Sequence, residues 1–239
     1  MQNSTDIFSL ESTLSLFFDC IVGHKQSEMQ TSFLRAITSI FYGQTTEDVV
    51  SFALDDEATA RAICQLKEPL KSSFPEVFKS VNMPLTYLLD ELICNIQQHA
   101  QTNKGYAYLM YNKEAKAIEI VIADFGITIY GSYVAAQKHL GKLGDSDAEA
   151  LNLAQNGYSV KNLPNTENRG YGISSNIKMV VKGLYGEFAT LSGNALLLQM
   201  PNSRKILALP PEIDFKGTMV MVRIPMPIPT NFNMYDYTS

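Results

Sequence analysis

The 239-residue chain reads as an α+β protein. The expected architecture is a two-layer α/β sandwich, a mixed but mostly antiparallel sheet with helices on one face, plus an N-terminal helical region. Three observations lead to that expectation. Leu85, Leu88, Leu89, Leu92, Ile93 and Ile96 form a helical stripe within 84–101. Short β-prone runs at 106–111 and 117–123 flank a polar stretch, the pattern of a hairpin. Further runs of the same kind come after residue 187, with turn residues between them. Helices alternating with hairpins favour helices layered on a sheet. The expected boundaries are an α-rich region at 1–80, the sandwich domain at 81–227 and a tail at 228–239.

In chain order, Phe33, Leu34, Ile37, Ile40 and Phe41 fall on one helical stripe, with Ser27 as a candidate N-cap and Gly43 as a stop. Thr46-Glu47-Asp48 reads as another helix start, and Pro69 and Pro75 punctuate the residues after it. The region suits packing or dimerisation and holds no catalytic constellation. The 84–101 helix comes next, then the hairpin of 106–111 and 117–123. A polar, Gly- and Asn-rich region over about 131–169 is expected to be a lid with short helices near 132–140 and 147–155. Gly170 and Gly172 open a helix to about Lys182, and strands are expected at 187–191, 195–200, 206–209 and 218–224. After Pro225 the chain should run extended.

Hydrophobic residues make up 46% and charged residues 18%, which suits a globular chain rather than a disordered one. The net charge of −5 argues against nucleic acid as a partner, because backbone binding needs a basic face. Cys20, Cys64 and Cys94 are scattered and odd in number, which suits a reducing compartment. The apolar run 14–22 is interrupted by Ser15, Asp19 and Cys20, so neither a signal peptide nor a membrane span is expected. The expected address is cytoplasmic, with no membrane partner.

Glu91, Asn95 and His99 recur every four residues on the helix side away from the leucines. A carboxylate can take a proton, an amide oxygen can ligate Mg²⁺, and an imidazole can donate to phosphate. A solvated helix face has the same pattern, and the row alone does not decide between them. Asp124-Phe125-Gly126 ends an apolar strand with an acid, which can accept from an exocyclic amine such as that of adenine. The tripeptide also matches the metal-binding motif of protein kinases, but their other signature motifs do not precede it. Asn168-Arg169-Gly170-Tyr171-Gly172-Ile173 is a glycine-rich loop entering a helix, where free N–H groups attract phosphate. A dinucleotide fold would need a strand before this loop and glycine where Ser175 stands, and Gly141-Lys142 is followed by Leu143 rather than the Ser or Thr of a phosphate loop.

Glu-x-x-x-Asn on a helix, a hairpin ending in Asp-x-Gly, a lid, Gly-x-Gly entering a helix and Gly217-Thr218 opening a late strand come one after another in order. Over roughly 83–226 this resembles the histidine kinase-like ATPase superfamily of DNA gyrase, sensor histidine kinases and MutL proteins, whose ATP-binding domain has the Bergerat fold. The resemblance implies Mg²⁺ and ATP as cofactors. It makes Glu91 the catalytic acid–base group, Asn95 the Mg²⁺ ligand and His99 a phosphate contact. Asp124 would accept from the adenine amine, with Thr218 sharing the network and Gly126 beneath the base. Gly170 and Gly172 would offer N–H groups to phosphate, and Lys161 and Arg169 are candidate lid cations. Thr128 stands where the family has a second glycine, Ile96 where alanine is usual, and Gln98 where a basic residue is common.

The implied activity is a stand-alone protein serine kinase or an ATPase. The alternative is a nucleotide-controlled protein-binding switch with little or no turnover. His24 is followed by Lys25 rather than an acid and lacks a surrounding two-helix heptad pattern, so it does not fit a phospho-acceptor. A separate protein partner or substrate is expected, and the N-terminal helices could support a homodimer.

Overall fold

The computed structural model describes residues 30–160 and 173–237. The candidates Cys20, His24, Ser27, Lys161, Arg169, Gly170 and Gly172 lie outside the described residues. The elements are α1 (Gln30–Phe41), β1 (Val50–Ala53), α2 (Asp56–Ser73), α3 (Pro75–His99), β2 (Lys104–Asn112), β3 (Ala117–Asp124), α4 (Ile129–Ala136), α5 (Leu140–Leu143), α6 (Asp147–Gln155) and α7 (Ile173–Ile177). A π-helical turn (Lys178–Gly183) then leads to β4 (Glu187–Gly193), β5 (Ala195–Met200), β6 (Ser203–Ala208) and β7 (Phe215–Pro225).

The seven strands form one sheet in the order β1-β2-β3-β7-β4-β5-β6. Every pairing is antiparallel, in line with the mostly antiparallel sheet expected. Because strand residues alternate between faces, β3 sends Ile118, Ile120 and Ile122 to one core and Val121 and Ala123 to the other. The first core lies under α2, α3, α6 and α7, and α3 buries Val81, Leu85, Leu88, Leu89, Leu92, Ile93 and Ile96 there. This is the expected α/β sandwich.

Several boundaries differ from the sequence reading. Helix α3 starts at Pro75, nine residues before Pro84, and Pro84 lies buried inside it. Pro75 costs little in the first turn, where its N–H would lack a partner anyway. Pro69 is likewise inside α2, so neither interior proline ends its helix. The apolar faces of both helices join one core, and that packing outweighs local propensity. The boundary at 80/81 therefore cuts through α3. Residues 50–73 also belong to the sandwich, since β1 pairs with β2 and α2 packs on α3. The helix expected from Thr46 is absent; the next helix is capped by Asp55, whose side chain accepts from Ala58 N–H at 2.8 Å.

Helix α1 covers the face opposite the main helical layer. Phe33, Ala36, Ile37 and Ile40 pack with Tyr108, Val121, Leu198 and Met221. Helices thus occupy both faces, not one, and the α1 stripe faces the sheet rather than a partner. Among the described residues, no helix is long and apolar enough to cross a membrane.

The 129–160 stretch contains the expected short helices, at Ile129–Ala136 and Asp147–Gln155, with α5 between them. Tyr133, Leu143, Ala150 and Leu153 make a small core of their own. The Tyr133 hydroxyl donates to the Tyr158 carbonyl. Helix α6 docks on the sheet through Asn194 N–H to Asp147 at 3.2 Å and Gln155 to Gln199 at 2.9 Å. The tail also returns to the body, since Ile228, Phe232, Met234 and Tyr237 pack against the first core.

Candidate functional site

The site is built where β3 ends. In register, Asp124 lies opposite Thr218 on β7, and Thr218 lies opposite Ser192 on β4. Alternation turns all three side chains toward the face covered by α3, the face of Ile120, Ile122 and Val220. The sheet thus presents a carboxylate and two hydroxyls as one cross-strand row.

Asp124 is only 3% exposed. Burial pushes its carboxyl up from the ordinary 3.8 to about 6, against the opposing effect of hydrogen bonds from the Gly126 and Thr218 backbone. Its Oδ1 accepts from Gly126 N–H at 2.8 Å. No cation among the described residues pairs with it. At neutral pH this is a buried, uncompensated charge, which a fold retains at a cost in stability.

Gly126 joins the strand end to the helix end. A Cβ there would fall 1.8 Å from the Ala100 carbonyl oxygen, so only glycine allows this approach. Ile127 N–H donates to the same carbonyl at 2.7 Å. The small size expected to suit a flat ring is thus already required by a backbone contact. Gly217 has φ 137°, and a Cβ there would lie 2.1 Å from the Asp124 carbonyl oxygen. These two glycines hold Asp124 between α3 and β7.

Helix α3 carries Glu91, Asn95 and His99, all half-buried. Ala100 caps that helix beside Gly126, so the row of three leads away from Asp124. At 1.5 Å per residue, Asn95 lies about 8 Å and Glu91 about 13 Å along the axis from Ala100. Glu91 Oε2 is buried with no hydrogen-bond partner among the described residues. Gln98 is exposed and donates to Cys94 Sγ at 3.0 Å.

No protein-family model and no curated protein matches this chain. The site is therefore characterised by its own geometry and chemistry.

Thr128 is the N-cap of α4, and its Oγ1 accepts from Gly131 N–H at 3.1 Å. The threonine thus has a local use, since its hydroxyl satisfies a helix-end donor that glycine would leave open. Two residues escaped the sequence reading. Ser192, assigned to a turn, is fully buried and accepts from Ile129 N–H at 2.9 Å. Asn176 on α7 is also fully buried, and neither polar atom of its amide has a partner among the described residues. Three consecutive polar residues, Ser174 to Asn176, in a helix expected to pack were the available signal.

Proposed function

We propose that the chain binds Mg²⁺-ATP in the manner of the histidine kinase-like ATPase superfamily and acts as a stand-alone protein serine kinase or ATPase. One observation carries this reading: a buried carboxylate with no cation partner among the described residues, in register with two hydroxyls, on the sheet face that also meets the Glu91–Asn95–His99 helix. Asp124 would accept from the adenine amine, with Thr218 beside it. An elongated ligand starting there would run along α3 toward Asn95 and Glu91.

The oxygen donors along α3 suit a hard cation. Mg²⁺ is typically held by one or two side chains, with phosphates and water completing the set. Asn95 would hold it through its amide oxygen, and the ion would neutralise phosphate charge when bound. Glu91 has a buried Oε2 with hydrogen-bonding capacity to spare, as a group that takes a proton from a hydroxyl or water requires. His99 and the Gly170–Gly172 loop would contact the phosphates, with Lys161 and Arg169 as further cations.

The switch reading has one observation in its favour. Ser192 ties the base-binding row to Ile129, the first residue of α4, and α4 belongs to the folded 129–160 unit. Nucleotide at the row could bias how that unit sits and thereby recruit a protein partner.

Calorimetric titration with ATP and Mg²⁺ tests binding, and no heat at millimolar nucleotide would sink both readings. Phosphate release or transfer by wild type and Glu91→Ala then separates them. Loss of about 100-fold or more in the variant supports an enzyme with Glu91 as its base. Equal rates remove Glu91 from that role.

A further inference from the structure

We infer that Ser192 is a specificity-determining positioning residue: it fixes Thr218 Oγ1 as a hydrogen-bond acceptor, so that the row receives the 6-amino group of a purine and rejects a 6-oxo group in the same place. The inference rests on the nucleotide-binding reading and adds a residue and a base preference to it.

A serine hydroxyl has one proton to give and two lone pairs to receive with. Ser192 Oγ lies 3.1 Å from the Gly217 carbonyl oxygen, which can only accept, so the serine proton goes there. Ile129 N–H points at the same Oγ from 2.9 Å and occupies one lone pair. The remaining neighbour is Thr218 Oγ1 at 3.2 Å. Since Ser192 has no second proton, Thr218 must be the donor in that contact. Thr218 then has only lone pairs left to offer on its other side.

Directly opposite stands Asp124, which when ionised also offers only lone pairs. The two groups together form a surface of acceptors. The 6-amine of adenine brings two N–H donors to such a surface, directly or through water. The carbonyl of a 6-oxopurine sets lone pair against lone pair and leaves the acceptors unmatched. Ser192 touches no base in this scheme. It acts through Thr218, which is half-buried, while Ser192 itself is fully buried and keeps its three contacts away from water.

The measurement is binding of ATP and GTP by calorimetry to wild type, Ser192→Ala, Thr218→Val and the double variant, each checked for a cooperative melt. Wild type should prefer ATP by about tenfold or more. Ser192→Ala frees the Thr218 proton to meet a carbonyl, so the ATP/GTP preference should narrow by about tenfold. In the Thr218→Val background, which no longer has that proton, Ser192→Ala should leave the preference unchanged. Should Ser192→Ala fail to fold, Thr218→Val alone must narrow the preference relative to wild type. A wild type that binds both nucleotides equally, or a Ser192→Ala variant with an unaltered preference, overturns the inference and leaves nucleotide binding standing. A wild type that binds neither nucleotide overturns the functional reading as well.

Discussion

Strands β3, β7 and β4 carry a polar cross-strand row on each face, and the two rows differ in how their charge is balanced. On the α3 face, Asp124, Thr218 and Ser192 lie in register. On the opposite face, nearer the other end of the strands, Glu119, Arg223 and Glu187 lie in register. Arg223 stands 3.8 Å from Glu119 and 3.7 Å from Glu187, and Asn112 adds a hydrogen bond to Glu119 at 3.3 Å. That row carries its own counter-ion, as a structural element should. The Asp124 row has hydroxyls and backbone N–H groups but no cation among the described residues. On the proposed reading its acid hydrogen-bonds a neutral donor instead of completing an ion pair.

The largest expected effect tests the structural row. Arg223→Ala leaves two buried carboxylates facing each other and should cost about 3–5 kcal/mol in urea unfolding. A cost below about 1 kcal/mol would show that the row contributes little, and the contrast with Asp124 would lose its meaning.

Titration sharpens the same contrast. Burial pushes the carboxyls of Glu119 and Glu187 up to about 7 each, with Arg223 opposing the shift. An acid with a raised folded-state value binds more protons folded than unfolded. Its contribution to stability is fully present below the unfolded value near 4.5 and is lost as pH rises through about 7. Asp124 acts with the same sign between 3.8 and about 6. The unfolding free energy should therefore fall between pH 5 and pH 7.5, and Glu119→Gln should flatten that slope. A wild-type stability that rises over this interval contradicts the assignment.

How much of this was legible depended on how local each signal was. The strand at 195–200 was read to the residue and that at 117–123 within one, because apolar runs with turn residues at their ends specify them locally. Asp124 was found for the same reason, as the acid that ends such a run. The four-residue β1 was missed, since of its side chains only Phe52 is buried and the alternation is too short to read. The two rows were invisible for a different reason. β7 inserts between β3 and β4, and that register brings Ser192 opposite Thr218 and Glu187 opposite Arg223 across long sequence separations. Single-chain periodicity contains no term for register between distant strands. The interior prolines misled in the opposite direction, because a core shared by α2 and α3 overrides a local breaker.

Asp124→Asn tests the binding row directly. The amide keeps an oxygen for Gly126 N–H but turns an NH₂ donor toward the base. ATP affinity should fall by at least about tenfold, ~1.4 kcal/mol, with GTP less affected. Removal of a buried charge should leave stability at pH 7.5 unchanged or raised, the reverse of Arg223→Ala. An unchanged ATP/GTP ratio, or a large loss of stability, would place Asp124 among the structural groups.

The smallest expected effect concerns Thr128, which sits between the binding row and the 129–160 unit. Its hydroxyl caps α4 by accepting from Gly131 N–H, while Ile129 N–H is taken by Ser192. The first turn of α4 therefore has one donor satisfied locally and one satisfied by the row. Thr128→Ala removes only the local bond and should cost about 1 kcal/mol, with ATP/GTP preference intact because the Ser192–Thr218 contact remains. Thr128→Gly should cost a similar amount or less, since glycine is tolerated at N-caps. If either change alters base preference as much as Ser192→Ala does, recognition is spread through the whole α4 entry. The row of three would then be only part of the site.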